Sequence, residues 1–257
     1  MSPGPLAGRR ALVTGVSRRI GIGWAIAQRL GELGAALYVS GWRAHDAAQP
    51  WGADPGDPVA ELRAALPASE IHAGEHDFAD PGAPEHCLAD AAGALGHVDV
   101  LVANHAHSSS RALGELEAAE LDLALAVNVR ATLLLVQAFA ARHDGRPGGR
   151  VVYLTSGQHR GPMPGELPYI AGKGALHQLT PSLAAALAER GITVNCVDPG
   201  ATDTGYASPG AHAAVLEQEP MGRWGEPADA ARLIGFLASD DARWVTGQVI
   251  ASTGGGP

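Results

Sequence analysis

The stretch "ALVTGVSRRIGIGWAIAQRLGELGAALYVSG" (11–41) decides the fold. It begins with a short apolar run, "ALVTG" (11–15), and continues through a glycine-rich turn into an Ala/Leu-rich segment, 24–34. It ends on a second apolar run, "AALYVSG" (35–41). Two strand-like runs separated by one helical segment are the pattern of a β-α-β unit, whose strands are parallel and whose crossover is right-handed.

The same alternation continues to the end of the chain. Further strands are predicted at 70–77, 98–106, 149–157, 192–200 and 247–252, and further helices at 58–66, 84–96, 117–143, 168–190 and 227–239. The strands are nearly continuous hydrophobic runs, so we expect helices on both faces of the sheet. The sequence therefore predicts an α/β, Rossmann-type, doubly wound sheet of seven parallel strands in a single domain, 1–257. Two long segments, 42–58 and 201–226, are predicted as functional or mobile loops.

Composition narrows the classes of function. The chain has 257 residues, 46% of them hydrophobic, and a net charge of −9, which argues against nucleic acid as its main partner. Cys87 and Cys196 are far apart and lack metal-type spacing, so we expect buried thiols and no metal site. The N-terminus lacks the apolar run of a signal peptide, and polar residues interrupt the most apolar stretch, 121–141. We expect a cytoplasmic protein without a membrane span.

The glycine-rich turn predicts a nucleotide site. Doubly wound sheets bind ligands beyond the C-terminal ends of their strands. Gly15, Gly21 and Gly23 lie between the first strand and the first helix, where bare backbone lets a pyrophosphate approach the helix N-terminus. A tight turn without a ligand is the alternative.

The end of the second strand bears on which nucleotide binds. A site for NAD usually places an acid there, whereas this chain has Ser40 and Gly41, followed by Arg43, with Arg18 and Arg19 in the glycine-rich turn. Because arginine pairs with phosphate, these residues favour NADP(H). In the alternative, the arginines face solvent and Asp46 reaches the ribose.

One lysine stands out in the second half of the chain. Lys173 is the only lysine, and the other seventeen basic residues are arginine. Tyr169 precedes it by four positions on a predicted helix, so the two side chains share one face. Ser156 ends the preceding strand, and Asn128 lies on the long helix before that strand.

With the glycine-rich turn, "LVANHA" (101–106), "VDPGATDT" (197–204) and "GQVIASTGG" (247–255), this ordered set resembles the short-chain dehydrogenase/reductase family in its compact single-domain branch. The resemblance covers about residues 8–255. It implies that Tyr169 is the general acid/base, Ser156 orients a substrate carbonyl, and Asn128 supports a proton-relay water. Lys173 would hold the nicotinamide ribose and lower the Tyr169 pKa. A cation ~5 Å away supplies roughly 3 of the ~4 kcal/mol needed to bring a tyrosine pKa from ~10 to ~7.

The resemblance also implies a set of cofactor contacts. It departs from the family at Arg19 and Ile20, two extra residues in the turn, and at Ala106, where the family has glycine. The histidines 105, 107 and 159 are interpreted as polar lining of the pocket. The expected cofactor residues are Gly15, Ser17, Arg18, Arg19, Gly21, Ile22, Gly23, Ser40, Trp42, Arg43, Asp77, Phe78, Asn104, Ala106, Pro199, Gly200, Thr202 and Thr204.

By overall likeness, the sequence is most similar to 3-oxoacyl-[acyl-carrier-protein] reductase-like members. This implies an NADPH-dependent reductase of a small carbonyl, free or carried as an acyl thioester, in a homotetramer or failing that a dimer. Arg142, Arg146 and Arg190 are candidates for a carrier-protein contact, or else solvated surface residues. Three alternatives stay open: a nucleotide sensor or structural protein without turnover, an alcohol dehydrogenase, and an enoyl reductase, in which the Tyr-to-Lys spacing is longer.

Overall fold

A seven-stranded parallel sheet forms the centre of the computed structural model, which describes residues 4–49 and 51–256. The strands are β1 (Arg10–Thr14), β2 (Ala36–Gly41), β3 (Ile71–Glu75), β4 (Val100–Ala103), β5 (Arg150–Leu154), β6 (Thr193–Asp198) and β7 (Val249–Ala251). Their spatial order is β3-β2-β1-β4-β5-β6-β7, and every neighbouring pair is parallel. The doubly wound sheet predicted from the sequence is therefore confirmed.

Helices cover both faces of this sheet. They are α1 (Ile22–Glu32), α2 (Arg43–Ala48), α3 (Pro58–Ala65), α4 (Ala83–Leu95), α5 (Ala118–Leu125), α6 (Ala131–Arg142), α7 (Leu167–Leu187), α8 (Pro209–Leu216) and α9 (Pro227–Ala238). One core packs α1, α3 and α9 against strand residues such as Val13 and Val102. The other packs α4, α6 and α7 against the opposite face, through residues such as Leu12 and Leu101. Side chains of successive strand residues thus point alternately into the two cores, as the continuous apolar runs predicted.

The predicted long helix, 117–143, is interrupted. One turn of π-helix, Ala126–Arg130, separates α5 from α6. Asn128 lies in that turn and is fully buried. Such bulges insert a residue into an otherwise regular helix and often occur at functional sites. Asn128 and Arg130 interrupt the apolar run at this turn, but polar residues within a helix do not by themselves indicate a π turn.

The helical stretch Ala118–Arg142 is long and apolar enough to cross a membrane, with a mean hydropathy of 1.7 in its most apolar window. Half of that window is buried inside the fold, against α4 and α7 among other elements. A core helix has this property, and length and composition alone are weak grounds for a membrane span.

Two short helices lie where the sequence predicted loops. α2 spans six residues of the segment 42–58, and α8 spans eight residues of the segment 201–226. Neither is long enough to show a clear helical period, and flanking Gly and Pro residues dominate the local signal.

Candidate active site

The glycine-rich turn after β1 is held tightly. A Cβ atom on Gly23 would lie 2.1 Å from the carbonyl oxygen of Gly15, so only glycine allows α1 to approach the turn this closely. Asn104 Nδ2 donates to the carbonyl oxygens of Thr14 and Gly15 at 3.2 Å each. The helix begins after Gly21, which offers no side-chain cap, and its first N–H groups are therefore available to an anion.

A cleft of about 590 Å³ opens beside this turn. Residues after β1, β2, β3 and β4 line it, at the sheet edge where the fold predicts ligand binding. The lining includes thirteen of the eighteen expected cofactor residues, namely Gly15, Ser17, Arg18, Gly21, Ile22, Gly23, Ser40, Trp42, Asp77, Phe78, Asn104, Ala106 and Thr204.

Two of the expected arginines are not among the lining residues. Arg19 donates from its backbone N to Asp54 Oδ2 at 2.6 Å and from Nη1 to Glu61 Oε2 at 2.7 Å. Arg43 Nη2 donates to the carbonyl oxygen of Asp54 at 3.3 Å. Glu61 thus engages the side chain of Arg19 and Asp54 that of Arg43, and the geometry does not support their expected contact with the nucleotide.

Arg18 remains at the cleft and forms no ion pair among the residues that the structure describes. Its guanidinium carbon lies 5.5 Å from the ring centroid of Trp51, a cation–π arrangement. Arg18 Nε and Trp51 Nε1 are both buried donors without a hydrogen-bond partner. The Trp51 ring also meets Tyr206 edge-on, at 6.5 Å between centroids. Two unpaired donors at the edge of a nucleotide-sized cleft suit an anionic group.

Asp46 gives this cleft a buried acid. It lies on α2, lines the cleft, and its Oδ2 has no hydrogen-bond partner. The preceding residue, His45, meets His107 edge-on at 5.9 Å, and burial lowers the pKa of His45. The segment 42–58 therefore forms a wall of the cleft and supplies both a candidate cation partner, Trp51, and a candidate ribose acceptor, Asp46.

The Ser40 hydroxyl is hydrogen-bonded to another side chain of the protein. Its Oγ lies 3.0 Å from His76 Nδ1, and His76 Nε2 lies 3.2 Å from Asp90 Oδ2. His76 itself lines the cleft, next to Asp77. Sequence reasoning missed this histidine because its partner lies 36 positions earlier on the neighbouring strand.

The four expected catalytic residues lie at the ends of the central strands and on the helices that pack there. Ser156 follows β5, and Tyr169 and Lys173 lie one turn apart on α7. The Ser156 hydroxyl lies close enough to the phenol of Tyr169 to lower its pKa, and Lys173 Nζ lies 5.6 Å from the centroid of the tyrosine ring. Lys173 is buried, and its Nζ donates to the carbonyl oxygen of Leu154 at 2.9 Å.

The protonation of this pair differs from the expectation. Burial raises the pKa of Tyr169 above its ordinary value of about 10, and the hydrogen bond from Ser156 opposes that rise. Burial also lowers the pKa of Lys173 to about 8. Lys173 was expected to bring the Tyr169 pKa toward 7, whereas among the protein's own groups Ser156 provides the main lowering effect. The reason is that removing water from the phenol costs its charged form more than these neighbours return.

Asn128 is fixed by backbone contacts. Its Oδ1 accepts from the N–H of His107 at 2.8 Å, and its Nδ2 donates to the carbonyl oxygen of His107 at 3.0 Å. A Cβ on Gly172 would lie 2.9 Å from the Asn128 Cβ, so α7 packs closely against the π turn. The side chain of Asn128 thus ties the segment after β4 to the helices that carry the other three residues.

His105 is buried, and both of its ring nitrogens are hydrogen-bonded. Its Nδ1 lies 2.8 Å from Thr14 Oγ1, and its Nε2 lies 3.1 Å from the carbonyl oxygen of Val127. Burial lowers its pKa to about 3, so the ring is neutral and Nε2–H is the donor to Val127. It joins β1 to the π turn, a role that its position after a strand did not indicate.

Comparison with known proteins agrees with this geometry. The family model described as "Enoyl-(Acyl carrier protein) reductase" matches residues 15–256. An uncharacterized oxidoreductase of Bacillus subtilis, YjdA, is 39% identical over 247 residues, which are 95% of either chain. The chain belongs to the short-chain dehydrogenase/reductase family.

Other family members extend the likeness. The 3-oxoacyl-[acyl-carrier-protein] reductase FabG of Staphylococcus epidermidis is 33% identical over 250 residues, covering 96% of this chain and 98% of FabG. A short-chain dehydrogenase of Burkholderia cenocepacia, solved in complex with NADP, superimposes with a TM-score of 0.86 at 37% identity and 98% coverage of both chains.

Arg19 and Ile20, the two residues interpreted as extra in the glycine-rich turn, contact other segments of the chain. Arg19 anchors Asp54, as described above. Ile20 is about half exposed and reaches the segment 201–226, where a Cβ on Gly205 would lie 2.7 Å from its Cδ1. The insertion therefore connects the turn to both long segments.

Of the expected contacts after β6, Thr204 lines the cleft, whereas Pro199, Gly200 and Thr202 are not among its lining residues. Thr202 is buried, and its hydroxyl donates to the carbonyl oxygens of Pro199 at 3.1 Å and Gly200 at 3.3 Å. The hydroxyl therefore closes its own turn. Gly200 has a φ of +66°, a left-handed conformation that favours glycine. These residues fix the conformation of the turn, and the Thr202 hydroxyl is already used within it.

The three arginines expected as a carrier-protein contact all have partners within the chain. Arg142 Nη2 lies 2.5 Å from Glu85 Oε1, and Arg146 Nη2 lies 2.5 Å from Asp144 Oδ2. Arg190 Nη2 donates to the carbonyl oxygen of His143 at 2.9 Å. Arg142 and Arg146 are therefore paired with carboxylates, whereas Arg190 has no acidic partner among the residues that the structure describes.

Proposed function

We propose that this protein is an NADPH-dependent carbonyl reductase that acts on a small ketone. The observation that carries the proposal is the arrangement of Ser156, Tyr169 and Lys173 next to a nucleotide-sized cleft. A nicotinamide cofactor supplies the hydride that reaches the carbonyl carbon. Tyr169 donates its phenolic proton to the carbonyl oxygen, while the Ser156 hydroxyl orients that oxygen.

The raised pKa of Tyr169 supports the reductive direction. A protonated phenol at neutral pH is the form required of a general acid, and a phenolate is the form required for alcohol oxidation. The four-residue spacing of Tyr169 and Lys173 favours carbonyl over enoyl reduction, although the matching family model carries an enoyl reductase description.

The experiment is NADPH oxidation over a panel of ketones, with a 3-oxoacyl thioester included. We expect turnover with at least one ketone and its loss in Tyr169→Phe, with cofactor binding retained. Binding without any turnover in the wild type would instead support a sensor or structural role.

For the cofactor, we propose NADP(H), with Arg18 and Trp51 as donors to its extra phosphate. Their unpaired buried N–H groups at the cleft edge support this choice. The second candidate is NAD(H), and one observation favours it: Asp46 Oδ2 is buried at the same cleft without a donor.

Two matched variants separate these candidates by kcat/KM for NADPH and NADH. A hydrogen bond to a charged group contributes about 1.5–3 kcal/mol, so Arg18→Gln should reduce NADPH use by roughly tenfold or more and leave NADH use unchanged. Asp46→Asn should leave the preference intact. Selective loss of NADH use in Asp46→Asn would establish the second candidate.

We also propose a cytoplasmic homotetramer. The outer half of the apolar helical stretch Ala118–Arg142 and the 95% exposed Trp244 support a subunit interface. Cell fractionation tests the location.

A further inference from the structure

Arg160 and Asp198 form an ion pair between the turns that follow β5 and β6. Asp198 is the last residue of β6 and is fully buried. Its Oδ2 accepts from Arg160 Nε at 3.0 Å, and its Oδ1 accepts from the N–H of Gly200 at 3.0 Å. One carboxylate therefore joins the turn after β5 to the turn after β6.

Arg160 ends the turn that carries Ser156. It caps the short 3₁₀ helix Gly157–His159, which follows Ser156 directly. Its backbone N–H donates to the carbonyl oxygen of Gly157 at 2.9 Å, and its Nη1 donates to the carbonyl oxygen of Gly256. A displacement of Arg160 therefore moves the turn in which Ser156 lies.

The pair also compensates the negative charge of the buried Asp198 carboxylate. A buried carboxylate is tolerated only with a partner, and Arg160, whose side chain is 19% exposed, provides it. Asp198 acts on Tyr169 electrostatically. Burial is the largest influence on the pKa of Tyr169, and the neighbouring groups that add to it or oppose it are Ser156, Tyr206, Glu166 and Asp198, with Lys173 one turn away.

Resting on the reductase function proposed above, we propose that Arg160 and Asp198 are positioning residues. They hold the Ser156 turn against the Pro199–Gly200 turn, and Arg160 neutralises a buried carboxylate within electrostatic reach of Tyr169. Neither residue touches the reacting atoms in this role. Their effect passes through Ser156, Gly200 and Tyr169.

The test compares Arg160→Gln, Asp198→Asn, the double variant and the charge-conserving Arg160→Lys with the wild type. Two readouts are measured: the rate of ketone reduction across pH, and the ionisation of Tyr169 by absorbance titration. The chain has four tyrosines, so the titration of a Tyr169→Phe background is subtracted.

In Arg160→Gln an uncompensated carboxylate remains, so the ionisation of Tyr169 should move up by about one pH unit, with turnover falling at least about tenfold. In Asp198→Asn it should move down. The double variant, which is neutral at both positions, should return near the wild-type value, and Arg160→Lys should stay close to it.

Unchanged Tyr169 ionisation in both single variants, with only stability lowered, would overturn the proposal and leave the pair a structural contact. If Arg160→Gln does not fold, Arg160→Lys and the double variant carry the same comparison. The titration needs no turnover, so a wild type that reduces no ketone would refute the reductase function alone.

Discussion

Replacing Lys173 by arginine separates the charge of this residue from its shape. Lys173 Nζ lies 5.6 Å from the centroid of the Tyr169 ring, and arginine would keep a positive charge at this position. Lys173 is only 3% exposed, however, and its Nζ lies 2.9 Å from the carbonyl oxygen of Leu154. A planar guanidinium is broader than an ammonium and does not fit the same point.

We expect a folded but slow enzyme. Overpacking a closed site costs about 1–3 kcal/mol, which lowers Tm by about 2–12 °C in a domain of this size. A displacement of the cofactor-holding group by about 1 Å costs roughly a hundredfold in rate. The loss should therefore be in kcat and in cofactor affinity, although the charge is conserved.

The assay is steady-state kinetics across pH, with Tm and cofactor affinity measured separately. The pKa of Lys173 is lowered to about 8, so the wild-type kcat/KM for NADPH should fall above that pH as the ammonium loses its proton. Lys173→Arg should lack this decline. Lys173→Met, which removes the charge and keeps the length, is the control. Wild-type turnover and affinity in Lys173→Arg would refute the reasoning.

Three further predictions concern the turn, the serine and assembly. Gly23→Ala would place a Cβ 2.1 Å from the Gly15 carbonyl oxygen, so cofactor affinity measured by calorimetry should fall about tenfold to a hundredfold, while Gly93→Ala, whose Cβ meets nothing within 4 Å, should change nothing. A normal affinity in Gly23→Ala would contradict this packing argument. Ser156→Ala removes a hydrogen bond that lowers the Tyr169 pKa, so absorbance titration should show phenolate forming about one pH unit higher, and an unchanged titration would rule out that bond. Sedimentation at micromolar concentration should show a tetramer, or failing that a dimer, and a monomer alone would be against the proposed assembly.

The sheet was predictable because its determinants are local. Each strand is a short apolar run, and most of the helices between strands are long enough to show their period, so the parallel direction of the strands follows from the β-α-β connectivity. The spacing of Tyr169 and Lys173 on one helix is likewise a local property.

Features that depend on distant partners were not predictable. Arg19 and Arg43 were expected at the nucleotide because they lie in the turns after the first two strands. Their partners are distant in sequence: Asp54 is 35 positions from Arg19 and 11 from Arg43, and Glu61 is 42 positions from Arg19. The π turn at Asn128 is stabilised by contacts with residues after β4, and no periodicity records it. The position of a residue in the sequence thus predicts which strand end it lies near, but not which side chain or backbone group it contacts.

The protonation of Tyr169 and Lys173 connects burial to the direction of the reaction. The Tyr169 pKa is raised, so the phenol keeps its proton through neutral pH, and the Lys173 pKa is lowered to about 8, so the ammonium keeps its proton below that value. Below about pH 8 both groups therefore carry their protons, which is the state that carbonyl reduction requires. Alcohol oxidation needs a phenolate beside an ammonium, and as pH rises the ammonium discharges before the phenolate forms. The same burial therefore leaves the phenol protonated at neutral pH, which is the form that the proposed reduction requires.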